Sequence, residues 1–200
     1  MIKRTRRAVN LRNSCSPFTS PETEAVVQKT VHHGQPSDLC ESIEFSPTAI
    51  SGVRRLLKAG GTIITDTNVL AEQLNGQLVQ NTQAVVKCFI DEAEVVTRAE
   101  QLQTTRAEMA LDMALTIPGN KLLVIGSAPA ALNRLLMHRR HEPLTDVCVL
   151  CTVNNFAGAV ALKEKLRESS MAYILTRGKN GGVGAAADIF SALLEYLTEV

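Results

Sequence analysis

The stretch Lys121–His138, KLLVIGSAPAALNRLLMH, decides the fold. After Lys121 it is apolar up to Gly126, passes through Ser127, Ala128 and Pro129, and continues with apolar residues at helical spacing. A short apolar run bounded by small residues reads as a strand buried on both faces, and Pro129 suits the first turn of a helix. Strands of this kind, each feeding a helix, build parallel sheets.

The same unit recurs on either side. DVCVLC is a strand followed by a helix from Ala159 to Glu168; AYILTR is a strand, and a closing helix runs from Gly184 to Tyr196. Upstream, TIIT leads to Asp66 and a helix over Asn68 to Leu74, and AVVKCFI reads as another strand. A long helix is predicted from Ala99 to Thr116, stopped by Pro118. Two more helices run from Pro21 to Gly34 and from Pro47 to Lys58, the second ended by Gly60 and Gly61. This order predicts one α/β domain over residues 20–200, a mostly parallel sheet with helices on both faces. There is no internal repeat or low-complexity tract.

A chain of 200 residues suits one domain with a full core. Its 21 basic and 20 acidic residues nearly cancel, so the molecule as a whole is not built to bind a polyanion, and no nucleic-acid partner is expected. No apolar run approaches the roughly 20 residues that span a bilayer, so the body is expected to be soluble, with no membrane partner. Residues 1–19 form a basic arm whose MIKRTRRAVNLR carries no acid; a mobile tail, a transit peptide and an anion-gripping arm all fit it. The five cysteines are scattered and odd in number, unlike a disulfide framework. Cys148 and Cys151 form a CxxC inside VCVLC, read as buried core thiols with zinc or redox use as the alternative. A reducing cytoplasm is the expected compartment.

In such sheets ligands bind outside the carboxyl ends of the strands. TIIT leads to Asp66, KLLVIG to Ser127-Ala128-Pro129, VCVLC to Thr152-Val153-Asn154-Asn155, and AYILTR to Gly178 and GKNGGVG with Gly181 and Gly182. Small residues at helix starts leave backbone N–H groups free to hold anions. IGSAP lacks the spacing of GxGxxG or GxxxxGK[ST], which argues against a dinucleotide or NTP site, and GGVG suits a carboxylate as well as a phosphate. Arg106 lies at helical spacing from Leu102, Met109, Ala110 and Met113, which places it on the apolar face of the long helix. A charge pointing inward needs a partner, either a structural carboxylate or an acidic substrate gripped bidentately. His32 sits in the last turn of the first helix, where the partial negative charge favours imidazolium. It is either a helix-capping histidine or a general acid. His33 is read as solvated, and His138 and His141 as members of a charged turn.

Taken in order, these segments resemble the precorrin-8X methylmutase family. The resemblance rests on VHHG at 31–34, EFSP with Phe45, Ser46 and Pro47, LLKAGG, Asp66, TTRAE with Thr105 and Arg106, VIGSAPAAL, NFAGA, and TRGKNGG with Arg177, Gly178, Gly181 and Gly182. It runs roughly from Ser20 to Leu194. It implies an isomerase of cobalamin biosynthesis that moves a methyl group from C-11 to C-12 of a corrinoid, the substrate being precorrin-8X or its cobalt form. It also implies a homodimer that needs no cofactor and no metal. The family's catalytic histidine falls on His32. The substrate-binding set falls on Arg106 and extends, by the loop reading, to Thr105, Asp66, Ser127, Ala128, Asn154, Asn155, Arg177, Gly178, Gly181 and Gly182. Three positions depart from the family's pattern. The basic arm replaces a Ser-Phe segment, Val153-Asn154-Asn155-Phe156 replaces Pro-Val-Gly-Phe, and Val183 replaces a serine after the double glycine. A non-catalytic corrinoid carrier stays open as the alternative, and so does a carrier of another acidic ligand whose arm meets nucleic acid or an anionic surface.

Overall fold

A computed structural model describes residues 20–78, 82–154 and 158–199. The basic arm, Asn155 and Phe156 lie outside the described residues. The chain opens with helices α1 (Pro21–His32) and α2 (Ser37–Ser42), a short strand β1 (Ile43–Phe45), and α3 (Ala49–Ala59). Then come β2 (Thr62–Thr65), α4 (Asn68–Gln77), β3 (Val85–Cys88), α5 (Ala93–Gln101) and α6 (Arg106–Thr116). The remainder alternates: β4 (Lys121–Ile125), α7 (Pro129–His141), β5 (Val147–Cys151), α8 (Ala159–Glu168), β6 (Ala172–Thr176) and α9 (Val183–Glu199).

The strands form one sheet in the order β1-β6-β5-β4-β2-β3. Only β1 runs antiparallel, against β6; the other neighbours are parallel. The central strands β4 and β5 are buried along their whole length, as their unbroken apolar runs require. Alternate residues feed two cores. Leu122, Val124, Cys148 and Leu150 pack with α1, α3, α4 and α9. Leu123, Ile125, Val149 and Cys151 pack with α6, α7 and α8. Cys148 and Cys151 therefore point to opposite faces of β5, as residues three apart in a strand must. Burial pushes their thiols up to about 12 and about 11, so both stay protonated core groups.

The order reverses direction between β2 and β4. From β2 the chain crosses through α4, on one face, to β3 at one edge. From β4 it crosses through α7 and α8, on the other face, toward β6 at the opposite edge. A crevice opens at the carboxyl ends of two strands whose crossovers part in this way.

The structure corrects several sequence expectations. The long helix over Ala99–Thr116 is two helices, parted by a turn in which Gln103 has φ 51°. The second is capped by Thr105, whose side chain accepts from the Glu108 N–H while the Glu108 carboxylate accepts from the Thr105 N–H. That closure holds α6 to its start. Arg106 is thus the first residue of α6, not an inward group; its side chain is 55% exposed and pairs with Asp91 at 2.9 Å. Leu102, placed on the same apolar face by the sequence, is exposed in the turn. His33 is not simply solvated: its Nε2 lies 2.8 Å from Glu195. The helix expected from Pro47 starts at Ala49, and α2 and β1 were not expected at all.

Candidate functional site

Asp66 follows β2 and reaches across the switch point to the start of α7. Its Oδ2 accepts from the Ser127 N–H and the Ala128 N–H, each at 2.7 Å, and from the Ser127 hydroxyl at 3.3 Å. A helix begins with N–H groups that have no partner within the helix, and a carboxylate is their natural acceptor. Here the chain supplies that carboxylate itself. The other oxygen, Oδ1, is buried with no hydrogen-bond partner among the described residues. Asp66 also lines a water-sized cavity of about 20 Å³ floored by Ala107, Ala110, Ala114 and Ala131.

The start of α9 is built differently. Gly181 (φ 140°) and Gly182 (φ 108°) lead into it with backbone angles that L side chains rarely adopt. A Cβ on Gly181 would collide with the Thr152 carbonyl oxygen. The loop is stitched to the end of β5: the Gly182 N–H donates to the Thr152 carbonyl at 2.6 Å. The Thr152 hydroxyl donates to the Gly182 carbonyl at 2.9 Å, and the Asn154 amide to the Gly181 carbonyl at 3.0 Å. The asparagine that departs from the family's Pro-Val-Gly-Phe loop is therefore used to hold the glycines. Among the described residues no side chain accepts from the N–H groups of Val183, Gly184 or Ala185. A Cβ on Gly184 would meet open space. A Cβ on Gly126, at the end of β4, would lie 3.1 Å from the Val183 Cα and 3.4 Å from Leu70. The starts of α4, α7 and α9 thus converge on one crevice.

The structure brings Asp66, Ser127, Ala128, Asn154, Gly181 and Gly182 together there. It places the expected charges at the rim. Arg106 and Asn68 share Asp91, at 2.9 and 2.7 Å, so Arg106 stands beside the first turn of α4, two residues beyond Asp66. Thr105 is occupied in capping α6. Arg177 and Gly178 lie toward the β1 edge, where the Arg177 guanidinium donates to the Glu41 carbonyl at 3.1 Å and faces Glu44 at 4.0 Å. Asn155 lies outside the described residues.

His32 ends α1 on the α9 face of the sheet. Its neighbours tie down the segment that follows: Gln35 donates to Asp188 of α9 at 2.5 Å, and Asn180 donates to the Asp38 carbonyl at 3.3 Å. His32 itself is exposed and makes no hydrogen bond or ion pair among the described residues. Its ring is free to meet a ligand, but no direct contact joins it to the crevice. Sequence reasoning missed Lys163, a buried lysine of α8 beneath the glycine loop; ALKEKL carries no mark that separates it from a surface lysine. Among the described residues no group of three or more His, Cys, Asp or Glu side chains could hold a metal ion. No described helix is long and apolar enough to cross a membrane.

Residues 2–196 match the family model described as precorrin-8X methylmutase. The chain is 33% identical over 183 residues to the cobalt-precorrin-8 methylmutase of Salmonella typhimurium, covering 91% of this chain and 85% of that one. It is 30% identical over 174 residues to the precorrin-8X methylmutase of Pseudomonas aeruginosa, covering 86% and 83%. Two solved structures share the fold. One is a precorrin-8X methylmutase from Thermus thermophilus, at TM-score 0.80 and 24% identity over 91% of this chain and 89% of that one. The other is a precorrin-8X methylmutase related protein, at TM-score 0.79 and 23% identity over 93% and 97%. With the order of motifs, the fold and the sequence match in agreement, the chain belongs to the precorrin-8X methylmutase family of isomerases.

Proposed function

We propose that this isomerase moves a methyl group from C-11 to C-12 of precorrin-8X, or of its cobalt-containing form, giving hydrogenobyrinic or cobyrinic acid. His32 is the proton donor. The crevice around Asp66, Ser127, Ala128, Asn154, Gly181 and Gly182 holds the macrocycle, and the start of α9 takes one of its acid arms. One observation carries this reading: an open helix start faces the switch-point crevice of a chain matched to the family over residues 2–196.

The chemistry asks little of the protein beyond position and a proton. A methyl shift within a conjugated ring needs the ring polarised, and a proton given to ring nitrogen or carbon lowers its barrier. A placed acid contributes on the order of 10²–10⁴-fold. The remainder comes from holding the macrocycle in one geometry. Acetate and propionate arms explain bare helix starts and rim arginines better than one phosphate would. Arg106 can exchange Asp91 for a substrate carboxylate at small cost, because exposed ion pairs contribute only about 0–1 kcal/mol. Thr105 fixes where Arg106 begins, and Arg177 with Gly178 offers a second grip at the opposite rim. The reading includes a cofactor-free homodimer, supported by the family resemblance. It also includes a reducing cytoplasm, supported by the unpaired thiols of Cys40, Cys88, Cys148 and Cys151.

The test follows the visible absorption of precorrin-8X after addition of purified protein. Wild type converts the chromophore to that of hydrogenobyrinic acid. His32→Ala retains corrinoid binding and loses about 10²–10⁴-fold in rate. Equal rates for the two proteins would remove His32 from the proton transfer. An unchanged chromophore that co-elutes with wild type would make the protein a carrier.

A further inference from the structure

Two lysines of this chain are buried, and they are treated differently. Lys121, 3% exposed, meets Asp146 at 2.5 Å and the Gly119 carbonyl at 2.9 Å, an ordinary paired ammonium. Lys163, 2% exposed, has no carboxylate partner among the described residues. Its Nζ donates to one backbone carbonyl, that of Asn180, at 3.3 Å. Burial pushes its pKa below the usual lysine value, and Cys151 is the titratable neighbour that acts on it. A buried ammonium without an anion is a cost to the fold, so stability alone does not account for it.

What Lys163 touches suggests its use. The Asn180 carbonyl also accepts from the Thr176 hydroxyl at 2.7 Å, so donors from α8 and β6 converge on one oxygen. The carbonyls of the next two residues are held by Asn154 and Thr152. Three successive carbonyls of the loop are thus turned inward. That leaves the amides at the start of α9 facing outward. Lys163 supplies the one charged donor in this set, and charge-assisted hydrogen bonds are the stronger kind.

We propose that Lys163 is a positioning residue for substrate binding: through the Asn180 carbonyl it fixes the 177–182 loop so that the first turn of α9 stays open to a carboxylate. The inference rests on the reading that an acid arm of the corrinoid binds there.

The experiment compares wild type with Lys163→Met, which keeps bulk and removes the donors, by amide hydrogen exchange without ligand and by steady-state turnover of precorrin-8X. Exchange at Gly181, Gly182, Val183 and Gly184 accelerates about ten-fold or more, while the amides of β4 and β5 keep their wild-type rates. KM rises about ten-fold, and kcat changes less than about three-fold. Wild-type exchange in the loop together with wild-type KM overturns the proposal. So does acceleration spread evenly through the sheet, which marks a purely structural lysine. If Lys163→Met does not fold, Thr176→Val, which removes the second donor to the same carbonyl, is read in the same way: loop-limited acceleration supports the clamp, and wild-type exchange overturns it. Failure of wild type to convert precorrin-8X, with the loop effect present, would discard the substrate reading and keep the clamp.

Discussion

Helices α7 and α9 begin at the same end of the sheet, after β4 and β6, and both aim N–H groups at the switch-point crevice. At α7 the chain has filled its own anion site: Asp66 sits on the Ser127 and Ala128 amides. At α9, the 17-residue helix, glycines replace any capping side chain, and neighbouring groups grip the loop by its carbonyls. The difference separates structure from function within one repeated device. A helix start neutralised from within is a joint, whereas one held rigid and left bare is a place for something else. The same reasoning covers the two buried lysines, one paired and one holding a loop.

The harshest way to break this contrast is Gly181→Ala. The new Cβ would collide with the Thr152 carbonyl at a positive φ, so the loop must move or the fold must strain. A loss of about 3 kcal/mol in denaturant unfolding is expected, with corrinoid affinity down by about 100-fold or more. A neutral Gly181→Ala would mean that the loop is not fixed as described. A milder change sharpens the contrast. Asp66→Ala should cost about 2 kcal/mol by stranding the Ser127 and Ala128 amides, and it turns α7 into a second bare start. Acetate or formate should then raise the melting temperature of the variant more than that of wild type. Equal responses would show that the α7 start does not act as an anion site.

Much of this was legible in the sequence, for physical reasons that differ from place to place. The strands β4 and β5 could be read because burial on both faces demands unbroken apolar runs, as in LLVI and VCVL. The converging loops followed from strand order alone. The α5–α6 break was not read, because Leu102, Met109 and Met113 keep a helical period across it. Thr105 and Glu108, three apart, carried the capping signal that marks the true start. Misplacing that start turned Arg106 inward, where the structure puts it on the rim. Strand β1 escaped because three residues around a charged Glu44 make no pattern, and that glutamate is buried against the Tyr173 hydroxyl. Asp66 was found as a site residue, but the N–H groups it serves become visible only once β2 and β4 lie side by side.

The central claim is that the open start of α9, not the filled start of α7, receives the corrinoid. Nitrogen-15 amide shifts measured while hydrogenobyrinic acid is titrated into the labelled protein address it directly. The account predicts large shifts at Gly182, Val183 and Gly184, with Ser127 and Ala128 nearly still on Asp66. Movement confined to Ser127 and Ala128, or no movement at α9, would contradict it.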